Sequence, residues 1–86
     1  LRPQNIFGIR LDIRTQDGTI IFYISSPFCR LIIVEDGDLI YILDSEMNTL
    51  NELNEEDFSK LSISDFNYNR CLYSLYKRFL NILVRV

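Results

Sequence analysis

Between Asp65 and Val86, the apolar residues Tyr68, Leu72, Leu75, Tyr76, Phe79, Ile82, Leu83 and Val86 recur at three- and four-residue spacings. On a helix that spacing gathers them into one wide stripe. Arg70, Ser74, Lys77, Arg78, Asn81 and Arg85 fall on the opposite side. Ser64 or Asp65 can cap the first turn, because a short side-chain oxygen satisfies amides that lack an intrahelical partner. Arg85 in the last turn suits the helix dipole. A helix with so broad an apolar face needs a flat apolar partner, and the chain before it must supply one.

It reads as a sheet. Phe7, Ile9, Leu11 and Ile13 alternate with Gly8, Arg10, Asp12 and Arg14, the period-two mark of a strand with one buried face. Asp17-Gly18 offers the positive φ angles of a tight hairpin. Thr19 to Ser25 returns as a second strand with Ile20, Phe22 and Ile24 on its core face, and Pro27 interrupts the ladder. Arg30 to Val34 and Leu39 to Leu43 form a third and a fourth strand around the turn Glu35-Asp36-Gly37-Asp38. Both carry apolar residues on two faces, so one face must be better covered or must meet a partner. From Asp44 to Ser64, Leu50, Leu53, Phe58 and Leu61 give a broken helical rhythm among acids. That stretch predicts a short acidic helix or turn and then a loop. Strands first and helix after give the α+β class, with a four-stranded antiparallel meander packed against a long C-terminal helix in two layers.

At 86 residues the chain makes one domain, 1–86, and its 48% apolar share is too high for a disordered one. Leu1 is not a methionine, which points to a piece excised from a longer chain. Charge is segmental: +2 over residues 1–34, −9 over 35–66 and +4 over 67–86, for a net −3. That acidic balance argues against direct nucleic-acid binding. The basic residues Arg70, Lys77, Arg78 and Arg85 read as a solvated helix face. No apolar run is long enough to span a membrane. Cys29 and Cys71 are too few for a disulfide framework and read as free thiols in a reducing compartment.

The chain has no histidine, so the commonest general base and the usual zinc ligand are missing. Gly8, Gly18 and Gly37 are scattered and make no phosphate loop. Glu35, Asp36 and Asp38 lack the spacing of a calcium loop. No nucleophile–base pair is in view. The sequence therefore predicts no enzyme, no cofactor and no metal. Phe66, Tyr68, Tyr73, Tyr76 and Phe79 cannot all point one way from a single helix, and Tyr at a rim favours interfaces. That crowding points to binding.

Several strings resemble the RWD-like globular domains of kinetochore proteins, among them the C-terminal domains of monopolin core subunits. They are GIRLDI at 8–13, DGTIIFYIS at 17–25, LIYILDSE at 39–46, LNELNEEDFSKLSIS at 50–64 and LYSLYKRFLNIL at 72–83. The resemblance implies an RWD-like fold, a dimerising coiled coil upstream of residue 1 and a nuclear location at kinetochore or nucleolus. It implies a non-enzymatic docking domain of a chromosome-segregation complex that binds kinetochore or nucleolar peptides. By position, the docking residues are Leu61, Ile63, Phe66, Tyr68 and Tyr73, around the entry to the final helix. The competing expectation is a small acidic immunity or inhibitor protein, whose acids would block a partner's basic cleft.

Overall fold

A computed structural model describes residues 4–6 and 8–85. Six strands, β1 (Gln4–Ile6), β2 (Ile9–Gln16), β3 (Thr19–Ser25), β4 (Arg30–Asp36), β5 (Leu39–Asp44) and β6 (Thr49–Asn54), follow one another in a single antiparallel meander. A one-turn helix α1 (Glu55–Phe58), a 3-10 turn (Ile63–Phe66) and the long helix α2 (Arg70–Arg85) complete the chain. The α+β class stands, but the four-stranded RWD-like meander is corrected to six strands. Phe7 and Val86, assigned above to a strand and to the helix stripe, lie outside the described residues, as does the side chain of Arg85.

The two extra strands have separate causes. Gly8, at φ +77°, turns the chain so that Ile6 pairs with Ile9, which splits the first expected strand into β1 and β2. At the other end Leu50 and Leu53 are three apart, a helical spacing, yet both pack against the core. A register shift opposite Ile42 and Leu43 makes this possible, because an inserted residue resets which side chains face inward. The same bulge hides a strand from period-two reasoning.

The hairpins follow their turn chemistry. Gln16 pairs with Thr19 around Asp17 and Gly18, both at positive φ, and Asp36 pairs with Leu39 around Gly37. On one side of the sheet Ile9, Leu11, Phe22, Ile24, Leu31, Ile33, Ile40 and Ile42 form a core with Leu72, Leu75, Tyr76, Phe79 and Ile82 of α2. The Phe22 and Phe79 rings meet at 5.1 Å. Each large side chain removed from water there contributes roughly 1.5–3 kcal/mol.

The helix starts later than its stripe suggests. Ser62 and Asp65 form a capping box on the 3-10 turn, and then Asn67 and Tyr68 take left-handed backbone angles of φ 53° and 63°. Two such residues end the turn, and α2 begins afresh with the Asn69 side chain accepting from the Leu72 amide at 3.2 Å. Tyr68 is thereby thrown off the stripe, and Leu83 stays 39% exposed.

Cys29 and Cys71 form a disulfide, with Cα atoms 6.3 Å apart, which corrects the expectation of free thiols. The bridge ties the β3–β4 connection to the first turn of α2. Spacing along the chain carries no sign of this, since the two cysteines are 42 positions apart and meet only through the fold.

Tyr76 is the largest fully buried side chain, and its hydroxyl donates to the Phe58 carbonyl. Burial, with smaller contributions from Tyr73 and Asp65, pushes its phenol up to about 12. The folded state thus holds this proton more tightly than the unfolded chain does. The stabilisation is complete below pH 10 and is lost as pH rises towards 12. Alkaline titration of the wild type should therefore show an unfolding step in that window. In Tyr76→Phe the step should move to higher pH; an unchanged midpoint would refute the assignment.

Candidate functional site

The five residues expected to dock a partner lie near one another, but few of them face outward. Phe66 is 0% exposed and Leu61 6%, and both belong to the core. Ile63 is half-buried. Tyr73, also half-buried, packs its ring 5.6 Å from Phe66, and the Lys77 ammonium sits 5.3 Å from the Tyr73 ring centre. Tyr68 alone projects, at 83% exposure. The apolar area around the start of α2 is largely consumed by the fold itself.

The other side of the sheet is different. All helical segments pack on the core side, so the residues of opposite parity form an outer face that no described element covers. Strand register arranges this face in rows. Asp12, Tyr23, Ile32, Leu43 and Thr49 lie side by side across β2 to β6. Arg14, Ile21, Val34, Tyr41 and Glu52 form the next row. Beyond the first row come Arg10, Ser25 and Arg30; beyond the second come Gln16 and Thr19, then Asp36, Leu39 and Asn54.

The centre of this face is therefore an apolar block of Ile21, Tyr23, Ile32, Val34, Tyr41 and Leu43. Ile32 and Leu43 are 7% and 8% exposed although neither belongs to the helix-side core; their neighbours within the sheet shield them. An antiparallel sheet that faces water on one side ordinarily alternates apolar-in with polar-out. Here β3, β4 and β5 are apolar on both sides. Leu39 and Met47 add exposed apolar surface at the margins.

Charge frames the block. The Arg14 guanidinium lies 4.8 Å over the Tyr23 ring and pairs with Asp12 at 3.1 Å. Arg10 and Arg30 have no carboxylate partner among the described residues, and Asp36 at the far end of β4 has no cationic one. A shallow groove of about 480 Å³ runs past Arg10, Arg14 and Arg30, with Tyr23 and Ile32 in its floor and Met47 on its wall. Beside Met47, Asp44 accepts from the amides of Asn48 and Glu46. The Asn48 amide is the larger cause that holds its carboxyl below the usual range. A second depression of about 420 Å³ lies by the disulfide, between Phe28 and the exposed Arg70 and Arg78.

None of these places gathers a nucleophile with a base, and among the described residues no three acidic or cysteine side chains cluster to hold a metal ion. Fold and surface together define a class: a small α+β module with an uncovered, charge-framed apolar sheet face. Compared with family models, with curated proteins and with solved structures, the chain matches none.

The sequence did carry a signal for this face. Leu31-Ile32-Ile33-Val34 and Leu39-Ile40-Tyr41-Ile42-Leu43 are apolar without alternation. In a sheet with helices on one side only, half of each run must point away from the core.

Proposed function

We propose that this chain is a non-enzymatic docking domain whose outer sheet face binds another polypeptide. The apolar block on β3 to β5, half-buried at Ile21, Tyr23, Val34 and Tyr41 with no described element over it, carries this reading. Burying such a block is favourable by roughly 25 cal/mol per Å² before the costs of association. The fitting partner presents an apolar centre flanked by acids, because Arg10 and Arg30, without an ion-pair partner among the described residues, stand at one end of the face. Tyr68, on the other side of the molecule, adds at most a peripheral contact.

A place in a chromosome-segregation complex rests on the string resemblance alone. The Cys29–Cys71 bridge suits an oxidising compartment, and a nuclear setting requires that bridge to survive the glutathione pool. The docking surface does not depend on either setting.

Site-specific photo-crosslinking in the native cell tests the surface. Benzoylphenylalanine placed at Ile21 or Tyr41 should give discrete polypeptide adducts, and the same probe at Arg78 on the exposed side of α2 should not. Adducts at Arg78 alone, or at none of the three positions, would remove the basis for docking through the sheet.

A further inference from the structure

The outer face is complementary to itself, and we infer that its occupant is a second copy of this chain, stacked face to face with strands antiparallel. This rests on the docking reading above and names its partner. Consider a two-fold axis that lies between the sheets, perpendicular to the strands, and passes between the Ile32 row and the Val34 row. It keeps each strand over its own copy and exchanges the rows.

The exchange places Ile32 over the partner copy's Val34, Tyr23 over its Ile21 and Leu43 over its Tyr41. Along β2 it brings Asp12 to Arg14, so the intrachain pair at 3.1 Å becomes a four-charge cluster of alternating sign. Along β4 it brings Arg30 to Asp36, each without an ion-pair partner among the described residues of its own chain. The acidic hairpin tip at Asp36 and Asp38 then settles over the Arg30 end of the groove, while Arg10 faces the partner copy's Gln16. Within the four rows no like charges are opposed. The alternative axis, parallel to the strands along β4, sets Arg30 against Arg30 and is disfavoured.

Geometry and size are consistent with such a pair. Stacked sheets lie about 10 Å apart with strand directions rotated by about 30°. At β2, two strands from β4, that rotation moves a row by about 5 Å, which arginine side chains can follow. Five strands about 4.8 Å apart, with four rows about 6.7 Å apart, cover roughly 500–650 Å² on each copy. The total, about 1,000–1,300 Å², is the lower end of specific interfaces. The expected association is therefore weak and reversible.

Sedimentation equilibrium with charge-reversed chains tests this. Wild type should dimerise with rising concentration. Arg30→Glu and Asp36→Arg should each weaken self-association by about tenfold or more, since each reversal sets like charges together twice per dimer. An equimolar mixture of the two variants should recover the dimer, because both contacts then pair opposite charges. Circular dichroism checks that each variant is folded. Wild type that remains monomeric at about 1 mM, single variants that associate like wild type, or a mixture no better than its components overturns the second copy as occupant. If the chain is monomeric yet Ile21 and Tyr41 still crosslink a different polypeptide, the self-pairing falls and the docking face stands. If the crosslinks fail as well, both fall.

Discussion

Opening the Cys29–Cys71 bridge should lower the unfolding free energy by about 4 kcal/mol. The bridge closes a loop across 42 positions, and a cross-link of that span removes about 13 cal/mol/K of entropy from the unfolded chain. A domain of 86 residues has only about 4–13 kcal/mol of stability to lose. Differential scanning calorimetry with and without reductant should show the melting temperature falling by about 15–30 °C, given about 4–8 °C per kcal/mol at this size. Cys29→Ala combined with Cys71→Ala should reproduce the reduced protein. The location adds to the effect. The bridge fastens the β3–β4 connection to the first turn of α2, and besides the backbone no other covalent tie joins helix to sheet among the described residues. Free thiols by mass spectrometry in the unreduced protein, together with a melting point that reductant does not move, would show that the bridge does not form.

Much of the sheet was legible because its turns and alternation are local. Asp17-Gly18 and the turn around Gly37 fix two hairpins through backbone conformations that few residues adopt. Ile9 and Leu11, with Phe22 and Ile24, face the core as period two requires. The helix stripe was legible for the same reason, and Leu72, Leu75, Tyr76, Phe79 and Ile82 are its buried members. The elements that were missed are those in which a tertiary contact overrides local preference. β6 reads Thr-Leu-Asn-Glu-Leu-Asn, a poor strand composition, and becomes a strand because β5 offers a free edge and a bulge brings Leu50 and Leu53 inward together. The disulfide was invisible for a related reason: it records a meeting in space between distant segments.

The site was legible in part. Apolar residues on both faces of β4 and β5 left two outcomes open: better cover for both strands, or one face that meets a partner. Which side is which depends on the placement of α2, and the pairing of rows across five strands depends on register. Crowded aromatics at residues 66–79 drew attention to the entry of α2 for a purely physical reason. Several large rings close together in a chain can signal either an exposed cluster or a core built locally, and composition does not distinguish them. Here Phe66, Tyr73 and Tyr76 stack on one another at ring separations of 5.3–6.4 Å, with only Tyr68 outside.

That local core sets the second large effect. Phe66→Ala should cost about 3–5 kcal/mol, the range for truncating a buried aromatic. Its ring is 0% exposed, lies 5.3 Å from Tyr76 and 5.6 Å from Tyr73, and belongs to the same cluster as Leu61 and Leu72. Removing it opens a cavity where the 3-10 turn meets α2, and the neighbours cannot collapse into it. The Asn51 side chain donates to the Asp65 carbonyl at 2.9 Å, and the capping box at Ser62 and Asp65 fixes the turn's own backbone. Tyr68→Ala, only two positions away, should change stability by less than about 0.5 kcal/mol, because its side chain is 83% exposed. Chemical denaturation of the two variants measures the contrast directly. Equal and small losses would mean that Phe66 is free to leave the core, and the entry to α2 would then regain its claim as a docking patch. A large loss for Phe66 alone, with outer-face crosslinking unchanged in Tyr68→Ala, separates the residues that hold the fold together from the surface proposed to meet a partner.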